Sequence, residues 1–169
     1  MIKIAIAGIG AIGGYFGGLL AKRYAGSASV QVYFIARGDN EKVIQQQGLQ
    51  VDAPSGSFTA TPYLCTSDCN NIGAVDYLVI CSKGYSLADL LEQVKPCLKP
   101  ETVILPLLNG VEAWEIIKAT YPQHEVWQGF AYLVARLTAP GVVKETGSVR
   151  QLHFGSVEGS QEKLEAFET

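Results

Sequence analysis

The chain has 169 residues, 18 of them Gly, with 17% charged, 48% hydrophobic and a formal net charge of −3. Soluble domains average about 7% Gly and ~25% charged residues, so this Gly-rich, charge-poor, apolar composition argues against intrinsic disorder and for one domain with a sizeable core. The 13 Lys and Arg are scattered, which leaves no basic footprint for nucleic acid, and no apolar run approaches the ~20 residues that span a bilayer.

Taken in chain order, short apolar runs alternate with helical patterns. Ile2–Ala7 is the first predicted strand. Ile12, Tyr15, Phe16, Leu19 and Leu20 then share one helical stripe that ends before Gly26. A second strand is predicted over residues 30–36. Residues 49–53 and 57–61 flank Pro54-Ser55-Gly56 and read as a small hairpin. A third long strand covers 77–82. Ser86-Leu87-Ala88-Asp89 reads as a capping box opening a helix with Leu87, Leu90, Leu91 and Val94 on one stripe, stopped by Pro96. Residues 103–108 form a strand, 111–119 a helix closed by Tyr121-Pro122, and 125–135 a further strand. Ala139-Pro140-Gly141 and Thr146-Gly147-Ser148 separate short runs around Val142-Val143 and 151–154, which read as an antiparallel edge on the parallel sheet. A helix opening follows Ser160, with Leu164 and Phe167 three apart.

The strands are apolar nearly throughout, as in sheets covered on both faces. The expectation is an α/β fold: a Rossmann-type, doubly wound, mostly parallel sheet with helices on both faces and a late antiparallel edge. Residues 1–158 are expected to form this domain, and 159–169 to begin a helix leading out of it.

Gly8-Ile9-Gly10-Ala11-Ile12-Gly13 is a G-x-G-x-x-G that follows a predicted strand and opens a predicted helix. In that context Gly8 permits a tight turn, Gly10 lets the backbone approach a pyrophosphate, and Gly13 lets helix and strand pack closely. The free N–H groups of Ala11, Ile12 and their neighbours at the helix start would receive the pyrophosphate. The alternative is a Gly-rich turn without a ligand. Against it, Gly13, Gly14, Gly17 and Gly18 each cost the helix ~0.5–1 kcal/mol relative to Ala, so close packing or ligand approach is expected to compensate.

Cofactor choice is read at the end of the second strand. NAD sites place an acid there for the ribose 2′-hydroxyl, whereas this chain has Ala36-Arg37-Gly38. Arg37 can clamp a 2′-phosphate, which favours NADP(H) over NAD. An exposed surface arginine is the alternative, and Asp39 is the objection unless it caps the next helix. Lys83 follows the strand at 77–82 and Asn109 the strand at 103–108, both where ligands collect in open α/β sheets. Lys83 can meet phosphate or carboxylate, and Asn109 a nicotinamide ribose or substrate oxygen. A solvated lysine and an Asn-Gly turn are the ordinary readings.

Other candidates are weaker. Cys65, Cys69, Cys81 and Cys97 contain no C-x-x-C pair, so neither a metal site nor a disulfide framework is expected, and a reduced, cytoplasmic protein is. His124 and His153 lack local partners for a triad or metal site and read as structural. Trp114 and Trp127 read as core or interface.

Together these residues resemble the ketopantoate reductase family, the 2-dehydropantoate 2-reductases, over essentially the whole chain. The match is to that family's N-terminal NADP-binding domain. Arg37 falls where the family places its 2′-phosphate arginine, and Lys83 and Asn109 at positions that contact cofactor or substrate. Gly129-Phe130-Ala131-Tyr132-Leu133-Val134-Ala135-Arg136 resembles a later segment in which the family uses a backbone contact to the cofactor, here Ala135. The resemblance implies hydride transfer from NADPH to a small-molecule 2-keto acid, ketopantoate, in pantothenate and coenzyme A biosynthesis. The family's catalytic lysine lies in a helical C-terminal domain, and no lysine here matches it. The expectation is therefore a cofactor domain that binds NADPH without turning over substrate, with neither nucleic acid nor membrane as partner and a homodimer left open. Two alternatives stand beside it: a reductase of another 2-keto acid, and a non-catalytic NADP-binding regulatory module.

Overall fold

A computed structural model describes residues 1–108, 112–156 and 161–168. The chain begins with β1 (Ile2–Ala7), α1 (Ala11–Arg23), β2 (Val30–Ile35) and α2 (Gly38–Gln47). A hairpin of β3 (Leu49–Asp52) and β4 (Phe58–Ala60) follows, then β5 (Leu64–Thr66) and β6 (Tyr77–Ile80). The remainder is α3 (Leu87–Val94), β7 (Val103–Pro106), α4 (Glu112–Thr120), β8 (Glu125–Val126), β9 (Gln128–Ala139), β10 (Val142–Gly155) and α5 (Gln161–Glu168).

Six strands form one parallel sheet in the order β5-β2-β1-β6-β7-β8. The chain steps outward from β1 to β2 and β5, then returns to the other side of β1 as β6. The direction of winding therefore reverses between β1 and β6, which is where open α/β sheets bind ligands. Period-two alternation divides the core. Ile4 and Ile6 enter one cluster with Val32, Phe34 and Leu105, while Ala5 and Ala7 enter another with Leu91 of α3 and Ile117 of α4. Both faces are covered, so the strands are apolar throughout.

The late strands depart from expectation. β9 and β10 pair antiparallel, but they do not extend the parallel sheet; they join the hairpin in a second sheet ordered β4-β3-β10-β9. Only the two residues of β8 reach the edge of the first sheet. Trp127, wholly buried, donates its backbone N–H to Ile104 O at 2.9 Å, and the chain then lifts across β7. At Gly129 a Cβ would stand 2.6 Å from Cδ1 of Leu105, so the backbone passes directly over that side chain.

The second sheet packs on α1, which lies between the two sheets. A Cβ on Gly17 would meet Ile6 and Phe34 of the parallel sheet at 3.2 and 3.3 Å. On Gly18 it would meet Val51 Cγ2 at 2.9 Å, in the second sheet. Close packing on both sides thus accounts for helix glycines that weaken α1 in isolation.

The predicted capping box does not form. Ser86 turns its Oγ back to the Lys83 carbonyl at 2.9 Å, inside a short 3-10 turn, and makes no side-chain cap on α3. Asp39 likewise is no cap: Arg37 occupies the N-cap of α2, and Asp39 pairs with Lys42 at 3.4 Å on the helix surface. Among the described residues, no helix is long and apolar enough to cross a membrane.

Candidate functional site

The turn from β1 to α1 sits at the switch point. Gly8 has φ +98, and a Cβ there would lie 2.9 Å from Ser82 N and 3.0 Å from Cys81 C, at the carboxyl end of β6. Glycine is required twice over, by conformation and by the neighbouring backbone. A Cβ on Gly13 would come within 2.2 Å of Gly8 O and 2.9 Å of Cys81 Cβ, so α1 starts in direct contact with the turn. Gly10 differs: nothing lies within 4 Å of the position its Cβ would take. It is the N-cap of α1, and no side chain caps the helix there.

The first N–H groups of a helix have no intrahelical partner, and its N-terminus is electropositive. Ala11, Ile12 and Gly13 therefore present donors beside an open approach. Ser82 Oγ, at the strand end that Gly8 touches, is buried without a hydrogen-bond partner among the described residues. An open glycine, an uncapped helix start and an orphaned hydroxyl fit a diphosphate group.

The other expected residues occupy neighbouring strand ends. Arg37 follows β2, is exposed, and its guanidinium has no hydrogen bond or ion pair among the described residues. Lys83 follows β6, also exposed, with its Nζ 5.9 Å from the Tyr85 ring centroid. Ala135 stands apart from these strand ends, on β9 opposite Glu145, in the sheet that packs on α1. Asn109 lies outside the described residues. Beyond the carboxyl end of β7 a cleft of about 740 Å³ is lined by Leu107, Leu108, Trp114, Phe130 and Phe154.

Burial pushes the Cys81 thiol up to about 12, so beneath the turn it is a neutral packing group and not a nucleophile. His153 and Trp114 also line the cleft beyond β7, and Trp114 donates its Nε1–H to Val126 O at 3.0 Å. His153 stacks on Phe130 with centroids 4.6 Å apart, and His124 packs edge-on against Tyr121. Trp127 donates Nε1–H to Glu125 Oε1 at 2.7 Å and stacks on Phe154.

Asn40 has no local sequence signal. From the first turn of α2 its Nδ2 donates to Ile9 O at 2.7 Å, and its Oδ1 accepts from Gly141 N at 2.7 Å. These partners are 31 and 101 residues away in sequence, which no spacing rule brings to notice.

A Rossmann-like α/β domain, with its glycine-rich turn at the switch point of a parallel sheet, is the class these features define. Residues 4–159 match the sequence model of the family described as "Ketopantoate reductase PanE/ApbA", and the chain belongs to that family. It is 29% identical over 184 residues to a 2-dehydropantoate 2-reductase of Mesorhizobium japonicum, an alignment covering 97% of this chain and 54% of that protein. It superposes on the crystal structure of 2-dehydropantoate 2-reductase from Porphyromonas gingivalis W83 with TM-score 0.91 and 36% identity, covering 99% of this chain and 60% of that one. A ternary structure of D-mandelate dehydrogenase with NADH and anilino(oxo)acetate is also similar, with TM-score 0.79 and 26% identity over 99% of this chain and 52% of that one. The chain spans about half the length of the relatives it matches.

Proposed function

We propose that the chain is the NADP(H)-binding part of an enzyme that reduces the 2-keto group of ketopantoate to pantoate. The observation that carries the cofactor half is Arg37, whose guanidinium has no partner among the described residues, at the carboxyl end of β2, one strand from the glycine-rich turn. Family membership supports the reductase half.

On this reading Gly8, Ile9, Gly10, Ala11, Ile12 and Gly13 hold the diphosphate through backbone N–H groups, and Arg37 makes charge-assisted hydrogen bonds to the 2′-phosphate. Lys83 adds a positive charge at the switch point. Ala135 contributes a backbone contact, and Asn109 orients the nicotinamide ribose or the substrate oxygen. Bound NADPH supplies the hydride, while the protein supplies orientation and electrostatics. On the same reading the proton donor, the family's lysine, would come from a C-terminal helical domain to which α5 (Gln161–Glu168) leads. The enzyme is read as cytoplasmic.

A second reading keeps the fold and changes the ligands. The likeness to a D-mandelate dehydrogenase holding NADH supports another 2-keto acid, or NADH, as partner. One set of assays separates the readings. The purified chain should bind NADPH and leave ketopantoate unreduced, while the longer protein with a C-terminal domain consumes NADPH fastest with ketopantoate. Turnover by this chain alone overturns the assignment of the proton donor, and faster turnover of another 2-keto acid by the longer protein overturns the substrate.

A further inference from the structure

The glycine-rich turn is tied at its start by the Gly8 N–H bond to Ile35 O at 3.1 Å and anchored by the buried Ile9 side chain, yet its glycine backbone is intrinsically permissive and pays the largest entropy on being fixed. Among the described residues, one side-chain hydrogen bond reaches it. Asn40 donates from Nδ2 to the carbonyl of Ile9, the residue between Gly8 and Gly10, at 2.7 Å. Its Oδ1 accepts from Gly141 N, also at 2.7 Å. Gly141 lies in the turn between β9 and β10 and has φ +70; a Cβ there would stand 2.6 Å from Val43 Cγ1 of α2. That turn is therefore seated on α2 as well as bonded to it.

Both ends of one short amide are thus in use, which requires a donor and an acceptor on the same planar group. Aspartate offers acceptors only. The three elements joined at Asn40 each carry a different part of the proposed cofactor site: the turn its diphosphate contacts, α2 its Arg37, and β9–β10 its Ala135.

We propose that Asn40 is a positioning residue that sets the glycine-rich turn in the conformation that receives the dinucleotide diphosphate, without touching the cofactor itself. The inference rests on the cofactor reading above, but part of its test does not. In the ligand-free chain, Asn40→Ala should speed amide hydrogen exchange at Gly8 and Gly14, whose N–H groups bond Ile35 O at 3.1 Å and Gly10 O at 2.9 Å on either side of Ile9. Asn40→Asp should do the same, because it keeps an acceptor for Gly141 N–H and loses the donor to Ile9 O. It also provides the answer if Asn40→Ala does not fold.

Binding then reads the consequence. Both variants should weaken NADPH about 10-fold, while adenosine 2′-monophosphate, which has the 2′-phosphate and no diphosphate, stays within about two-fold. Unchanged exchange at the turn overturns the proposal. So does equal weakening of both ligands, which would mark general damage, or wild-type NADPH affinity in Asn40→Asp. If the wild-type chain does not bind NADPH, the cofactor reading fails with the binding role of Asn40, while exchange still decides whether Asn40 holds the turn.

Discussion

Gly14 and Val143 meet with no room for a methyl group between them: a Cβ on Gly14 would stand 2.5 Å from Cγ2 of Val143. Val143 is wholly buried, so it has little freedom to move aside. This contact seats β10 on α1 and fixes the second sheet relative to the glycine-rich turn. Gly14→Ala gains about 1 kcal/mol of helix propensity and is opposed by overpacking of about 1–3 kcal/mol, so a net loss of stability is expected in urea unfolding. Gly10→Ala is the counterpart. Its Cβ meets open space, so stability should hold within about 0.5 kcal/mol while NADPH binding is lost. A Gly10→Ala protein that binds NADPH normally would contradict the proposed diphosphate approach.

Arg150 and Glu145 close the base of an irregularity in β10, where the register shifts between them. Arg150 Nε donates to Glu145 Oε2 at 2.7 Å, and the Glu145 side chain is wholly buried. Its other oxygen, Oε1, has no partner among the described residues. Arg150→Ala leaves a buried charge uncompensated, and a loss of about 3 kcal/mol is expected. The double variant Arg150→Ala/Glu145→Gln should recover part of that loss, because the charge is gone. No recovery in chemical denaturation would mean that packing, and not charge, carries the pair.

Acid should loosen α5 before the sheets. Burial alone would raise the Glu125 carboxyl, but hydrogen bonds from Trp127 and Lys163 prevail and hold it below the ordinary glutamate value. A depressed carboxylate contributes stability that is present above the unfolded value and lost as pH falls through the folded one. The window therefore lies below the model-peptide value of about 4.3. Lys163, 3.0 Å from Glu125, ties α5 to β8, and Phe167 packs edge-on against Trp127. Trp127 fluorescence should change in that window before global unfolding, and Lys163→Ala should shrink the change. An acid response identical in Lys163→Ala would exclude the ion pair as its cause.

The parallel sheet was legible because burial on both faces leaves its mark residue by residue: Ile2–Ala7 agrees in full, and the helix expected at 111–119 is Glu112–Thr120. The placement of Gly8, Arg37 and Lys83 at adjacent strand ends followed from strand order. Membership of the late strands in a second sheet was not legible. It depends on parallel pairing of Val142 with Gln50 and Val143 with Val51, far apart in sequence and without local signal. The glycines of α1 carried the clue, since a helix with small residues on two sides is made to lie between two surfaces. Ser86 misled because its hydroxyl had a nearer acceptor in Lys83 O. Asn40 stayed hidden for the same reason as the second sheet: its value lies in two partners that only the fold brings together.

The most direct test of the account is a fluorescence titration of this chain with NADPH and NADH, with and without Arg37→Ala. The account predicts tighter binding of NADPH, and a loss of ~1.5–3 kcal/mol, about 10- to 150-fold, on removing Arg37, with NADH little changed. Equal losses for the two cofactors, or a preference for NADH in the wild-type chain, would contradict it.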